Sequence, residues 1–142
     1  MRIKKVFSTN FEEKAIHMPL LIIRLLAGGF MLTHGVPKLM RLLSGEEIRF
    51  ADPYGLGAFI SFVLVVFAEF FCSILTILGL GTRLAAVPIM ITMLTAAFYA
   101  HADDPFGTKE KPLVFFIVFF SLFVFGSGRY SVDQLIFKKL RP

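Results

Sequence analysis

With 142 residues the chain has room for one domain, and 56% hydrophobic residues with a mean hydropathy of +0.76 exceed what a water-soluble domain can bury. The formal charge of +5 is small and gathers at the two ends, which suits anionic lipid headgroups and argues against nucleic acid as a partner. A single cysteine, Cys72, excludes an intrachain disulfide and any CxxC redox or zinc motif.

The basic start "MRIKK" is followed by Glu12, Glu13 and Lys14 before the apolar run, and no small-residue cleavage site follows that run. Residues 1–18 are therefore expected to be an interfacial segment, with Asn10 and Glu13 as a capping box, and the first span to be retained. A bilayer core needs roughly 20 helical residues. Residues 19–40, 57–80 and 83–100 meet this, and a fourth helix is expected over 109–126, with Thr108 as N-cap and Pro112 in its first turn. The "GLGT" link at residues 79–82 makes the second and third helices antiparallel neighbours. The phenylalanine run "VFFIVFFSLFVF" reads as lipid-facing and packing surface. The tail, 127–142, offers Ser131 with Gln134 as a cap, and a helix there can turn Val132, Leu135, Ile136 and Leu140 to lipid and Lys138 and Lys139 to headgroups.

The expected fold is all-α: a single membrane domain over 1–142, a four-transmembrane-helix bundle in up-down-up-down order with short interfacial helical segments at both ends. Nine Lys and Arg residues fall on one side (Arg2, Lys4, Lys5, Lys14, Arg83, Arg129, Lys138, Lys139, Arg141) and five on the other (Lys38, Arg41, Arg49, Lys109, Lys111). The excess of positive charge then places both termini in the cytoplasm.

On a helical wheel Arg24, Gly28, Met31, Gly35 and Lys38 lie within about 40° of one another, with Ala27 and His34 on the adjoining edge. Ionisable groups cost at least about 2.5 kcal/mol each at a bilayer centre, so this stripe is expected to face the bundle. Glu69, midway along the second helix, supplies the matching acid. An Arg24–Glu69 ion pair is expected, with Arg83 as competitor for the carboxylate. At the opposite end His34, Lys38 and His101 come to one leaflet, followed by Asp103 and Asp104; Arg83 and His101, eighteen residues apart, share a face of the third helix. Two histidines with carboxylates can bind a metal, two histidines a haem iron, and imidazole with lysine can hydrogen-bond quinone carbonyls. No motif selects the metal, and none is assigned. Cys72 reads as a small packing residue.

The segments "RLLAGGFMLTHGVPKL", "GLGAFISFVLVVFAEFFCSILTILGLGTRLAA" and "ITMLTAAFYAHADDPF" together resemble the DoxX family of small bacterial membrane proteins. The resemblance implies a four-helix protein of the bacterial inner membrane, with quinone-linked redox chemistry or a part in stress-resistance complexes. Arg24, His34, Lys38, Glu69 and Arg83 match the family's polar pattern. The family is also similar to vitamin K epoxide reductase-like bundles, but this chain lacks the paired cysteines of disulfide chemistry. The reading that follows is a quinone-linked oxidoreductase subunit. His34, Lys38 and His101 would bind the headgroup, with His34, Lys38 and Glu69 as catalytic candidates: His34 and Lys38 as hydrogen-bond donors and Glu69 as proton relay. No flavin, haem or iron–sulfur motif is visible, so it would need a redox partner protein, with membrane lipids and a homo-oligomer as further partners. A non-catalytic membrane scaffold, and less favourably a transporter, are the alternatives.

Overall fold

The computed structural model of the chain describes residues 13–140. A 3-10 turn, Glu13–Ile16, leads into α1, His17–Leu43; α2 runs Ala58–Leu78, α3 Thr82–Ala100, α4 Phe106–Phe125 and α5 Val132–Leu140. Among the described residues every element is helical. Three helices, α1, α2 and α3, are long and apolar enough to cross a membrane. α4 spans 20 residues but carries Lys109, Glu110 and Lys111 in its first two turns. It starts at Phe106 rather than 109 because Pro105, extended at ψ 152°, sets the turn that precedes it. Asn10, and with it the expected N-terminal capping box, lies outside the described residues.

α1 buries Leu20, Arg24, Ala27, Gly28, Met31 and Gly35, one face at helical spacing, and leaves Ile22, Leu25, Leu26 and Phe30 exposed on the other. The stripe expected from the sequence is therefore the inward face. Its glycines set the distance to α2. A β-carbon at Gly28 would stand 3.1 Å from the Ser73 carbonyl oxygen, and one at Gly35 would overlap the Glu69 carbonyl and come within 2.7 Å of the Phe70 nitrogen. No larger residue fits Gly35 without moving a backbone. Met31, Cys72, Ala86, Ile89, Phe119 and Leu122, one or two from each long helix, close the core.

The α2–α3 turn is fixed by its polar groups. Gly79 adopts the left-handed conformation (φ +71°), and the Leu80 and Gly79 amides donate to the Leu75 and Thr76 carbonyls, a Schellman closure. The guanidinium of Arg24, a residue only 1% exposed, donates to the carbonyls of Thr76 (2.9 Å), Ile77 (3.0 Å) and Tyr130 (3.0 Å) and also to that of Ser127. It thus ties the C-terminal end of α2 to the segment after α4, where a cation also complements the helix dipole. Asp133 does the reverse for α3: its carboxylate accepts from the Gly81 amide at 2.7 Å and the Thr82 amide at 3.4 Å. Ser131 caps α5 by accepting from the Gln134 amide at 3.2 Å, as its sequence spacing suggests.

Two departures from regular helix were not legible in the sequence. α2 widens to a π-helix over Phe67–Cys72 and α3 over Ala96–Ala100. Each adds a residue to a turn and re-aims the side chains beside it. Glu69 lies within the first, and His101 directly follows the second.

Candidate functional site

The antiparallel register of α1 and α2 decides which charges meet. Arg24 lies opposite Thr76 and Ile77, whereas Gly35 lies opposite Glu69. Eleven helical residues separate Arg24 from Gly35, ~16 Å along the axis, beyond the reach of one side chain. The expected Arg24–Glu69 ion pair is therefore not formed. Glu69 pairs instead with Lys38, one turn beyond Gly35. Arg83, the expected competitor, is exposed near the opposite end of the bundle. Its Nη2 donates to the Val124 carbonyl at 3.2 Å, and it lines an open groove of about 530 Å³ with His17 and Arg129.

The Lys38–Glu69 pair stands in a cleft of about 440 Å³ between α2 and α3. Glu69 is nearly sealed (side chain 5% exposed) while Lys38 keeps 30% of its side chain accessible. The remaining walls are mostly apolar: Leu64, Val65 and Phe67 from α2, and Pro88, Ile91 and Ala96 from α3. Polar side chains enter at Ser61, Thr92, Thr95, Tyr54, Tyr99 and His101 besides the pair itself. A cavity of this size, apolar with few convergent polar groups, has the character of a small-molecule site.

Of the residues singled out in the sequence, Lys38, Glu69 and His101 come to this cleft and His34 does not. His34 sits on the edge of α1 that α4 covers, its ring edge-on to Phe115 at 6.2 Å between centroids. The His101 Nδ1 lies 2.7 Å from the Asp104 carboxylate, an i,i+3 contact that orients the imidazole. Asp103 and Asp104 are exposed, and among the described residues no three His, Cys, Asp or Glu side chains converge as a metal site would require. Cys72 is buried and unpaired in the core.

Sequence reasoning missed the contribution of the α1–α2 loop. Tyr54 hydrogen-bonds Thr95 of α3 at 2.6 Å; because the Thr95 hydroxyl already donates to the Ile91 carbonyl, the tyrosine is the donor. Phe50 packs edge-on against Phe62 at 5.1 Å, and Arg41 lies 5.6 Å from the same ring. Asp52 anchors the loop. It accepts from the Leu56 amide (2.9 Å), the Gly57 amide (2.8 Å) and the Ser61 hydroxyl (2.8 Å), and so caps α2 from five residues away, across Gly57 at φ +92°. The Gly57 amide first, then the Ser61 hydroxyl, hold its carboxyl below the usual carboxylate range. The signal available was "ADPYGLG", an aspartate ahead of a glycine-rich turn.

A Bacillus subtilis (strain 168) protein named "Putative oxidoreductase CatD" is 26% identical over 129 residues, covering 89% of this chain and 92% of that protein. An uncharacterized protein of Haemophilus influenzae is 30% identical over 99 residues, 66% of this chain and 65% of its own length. No solved structure matches the chain. The family model DoxX matches residues 19–102, which hold all but the first two residues of α1, the whole of α2 and α3, and every residue lining the Lys38–Glu69 cleft; the chain belongs to the DoxX family.

Proposed function

We propose that this membrane protein is a quinone-linked oxidoreductase subunit of the bacterial inner membrane, with four helices crossing up-down-up-down and both termini cytoplasmic. The observation that carries the reading is the cleft itself: an ion pair, Lys38–Glu69, with the carboxylate buried and the ammonium partly accessible, set in a mostly apolar space large enough for a quinone headgroup. The name of the Bacillus subtilis relative points to the same class of chemistry. A quinone becomes a quinol by taking up two electrons and two protons. The Lys38 ammonium can donate to one quinone oxygen and stabilise the negative charge that develops there on reduction. Glu69, a carboxylate while it pairs with that ammonium, can take up a proton once Lys38 has given its own and return it to the amine; at the loop end of the cleft His101 adds a ring nitrogen, whereas the Tyr54 hydroxyl proton is committed to Thr95. The electrons come from a redox partner protein.

Extraction of the full chain from native membranes into polymer discs, followed by mass spectrometry of the bound lipids, tests this. The account expects a stoichiometric quinone in the wild type and at least a tenfold loss in Lys38→Met. Equal quinone content in both, at the level of bulk lipid, would count against it. A second reading, a non-catalytic scaffold, is favoured by one observation: the interior charges already satisfy each other, Lys38 with Glu69 and Arg24 with four carbonyls. It predicts a stoichiometric partner protein and no quinone in the same preparation.

A further inference from the structure

The cleft opens towards the outer surface of the α2–α3 pair. α2 and α3 are in close contact where Phe67–Leu78 lies along Thr82–Thr95, and they diverge towards the other end, where Ala58–Val66 faces Ala96–Ala100. The 440 Å³ space fills this V. At its inner limit stand Lys38 and Glu69, against α1. At its end the Ser44–Gly57 loop lies across it, held by the Tyr54–Thr95 hydrogen bond, the Phe50–Phe62 contact and the Asp52 cap. Its remaining side is the outer surface of the helix pair. There the lining residues Leu64 and Phe67 of α2 and Ile91 and Tyr99 of α3 are all large and about half exposed, 49% at Leu64 and 52% at Ile91. In a chain whose α2 and α3 cross a membrane, that surface meets acyl chains.

We infer that the cleft takes an amphiphile sideways from the bilayer: the polar head reaches Lys38–Glu69, and the apolar tail leaves between α2 and α3 over Leu64, Phe67, Ile91 and Tyr99. This rests on the headgroup reading above and adds the route and the ligand's shape. The energetics favour a half-inserted pose. Between lipid and an apolar protein wall a methylene group gains little, since hydrocarbon is as apolar as leucine. A long tail therefore has no drive to fold into the cleft, while a carbonyl or hydroxyl in hydrocarbon lacks partners and is drawn to the ammonium and carboxylate. The half-exposed rim of Leu64, Phe67, Ile91 and Tyr99 gives the cleft an open path to the lipid side. A water-soluble substrate would require the reverse arrangement.

Two photoreactive quinones distinguish the route from the site. One carries an aryl azide on the ring, the other a diazirine at the end of a ten-carbon tail; each is added to the full-length protein in nanodiscs, with and without excess unlabelled quinone. The ring probe should label, suppressibly, peptides holding Lys38, Glu69 or the 44–57 loop. The tail probe should label suppressibly residues 60–71 and 88–99. Leu64→Trp or Ile91→Trp, each about half exposed at the outer mouth of the cleft, should cut tail labelling about tenfold. Ring labelling in the cleft with suppressible tail labelling on α1 or α4, or only in cross-linked pairs of chains, overturns the lateral route and leaves the headgroup site standing. Absence of suppressible labelling by either probe overturns both.

Discussion

At the scale of single residues, three charges inside the apolar helices find partners of different kinds, and the cost of removing each follows. Lys38→Met leaves Glu69, at 5% side-chain exposure, without its cation, and should cost about 3 kcal/mol of stability in detergent. Glu69→Gln leaves Lys38, which keeps 30% of its side chain accessible and can snorkel, and should cost only about 1 kcal/mol. Thermal or steric-trap unfolding that ranks the two the other way would remove the asymmetry from the site. Arg24 is the most deeply committed, with its fork spread over four carbonyls of two segments. Arg24→Lys cannot span them and should lose at least about 2 kcal/mol despite keeping the charge. Because Arg24 and Glu69 do not touch, Arg24→Gln and Glu69→Gln should add within about 0.5 kcal/mol in the double variant. A strong interaction energy would restore the ion pair that the register excludes. The sequence made it legible that Arg24, Lys38 and Glu69 face inward. Which of them pair depends on the axial offset between α1 and α2, and residues 44–57, a loop of no regular length or shape, hide that offset.

At the scale of elements, helix contact is governed by two glycines and the loop by one aspartate. Gly35→Ala would push a methyl into the Glu69 carbonyl, where backbone cannot yield, and should destabilise by about 1–3 kcal/mol while weakening quinone retention. Gly29→Ala, with no atom within 4 Å of its β-carbon, should be neutral or stabilise the helix by up to about 1 kcal/mol. Two glycines of the same helix, six residues apart, are thus separated in one stability assay. Asp52 makes the loop sensitive to pH. Its carboxyl is held below the usual value in the folded state, so its stabilising contribution is complete above the ordinary aspartate range, about 4, and is lost as pH falls through the depressed value. Hydrogen exchange at the Leu56 and Gly57 amides should quicken, beyond the intrinsic change, as pH drops through that window, and Asp52→Ala should show the fast behaviour at every pH. Helix positions and the inward face of α1 were readable from hydropathy and spacing. The π-helical turns at Phe67–Cys72 and Ala96–Ala100 were not, because no residue type marks them and tertiary contacts select them.

At the scale of the whole molecule, α2 and α3 part on one side of the Lys38–Glu69 pair and close on the other, so a helical hairpin with no binding motif acquires a cleft. Of the three residues expected to bind the headgroup, Lys38 and His101 share the cleft, while His34 turns to Phe115 because α4 covers its edge of α1. The central claim is that the ion pair serves a reducible headgroup rather than only the packing of two helices. Redox-difference infrared spectroscopy of the protein in nanodiscs, with quinone reduced and reoxidised at an electrode, addresses it most directly. The account predicts a carboxyl band that changes with the quinone's redox state, disappears in Glu69→Gln and shifts in Lys38→Met. A difference spectrum identical to that of quinone in lipid alone, unchanged by either substitution, would contradict it.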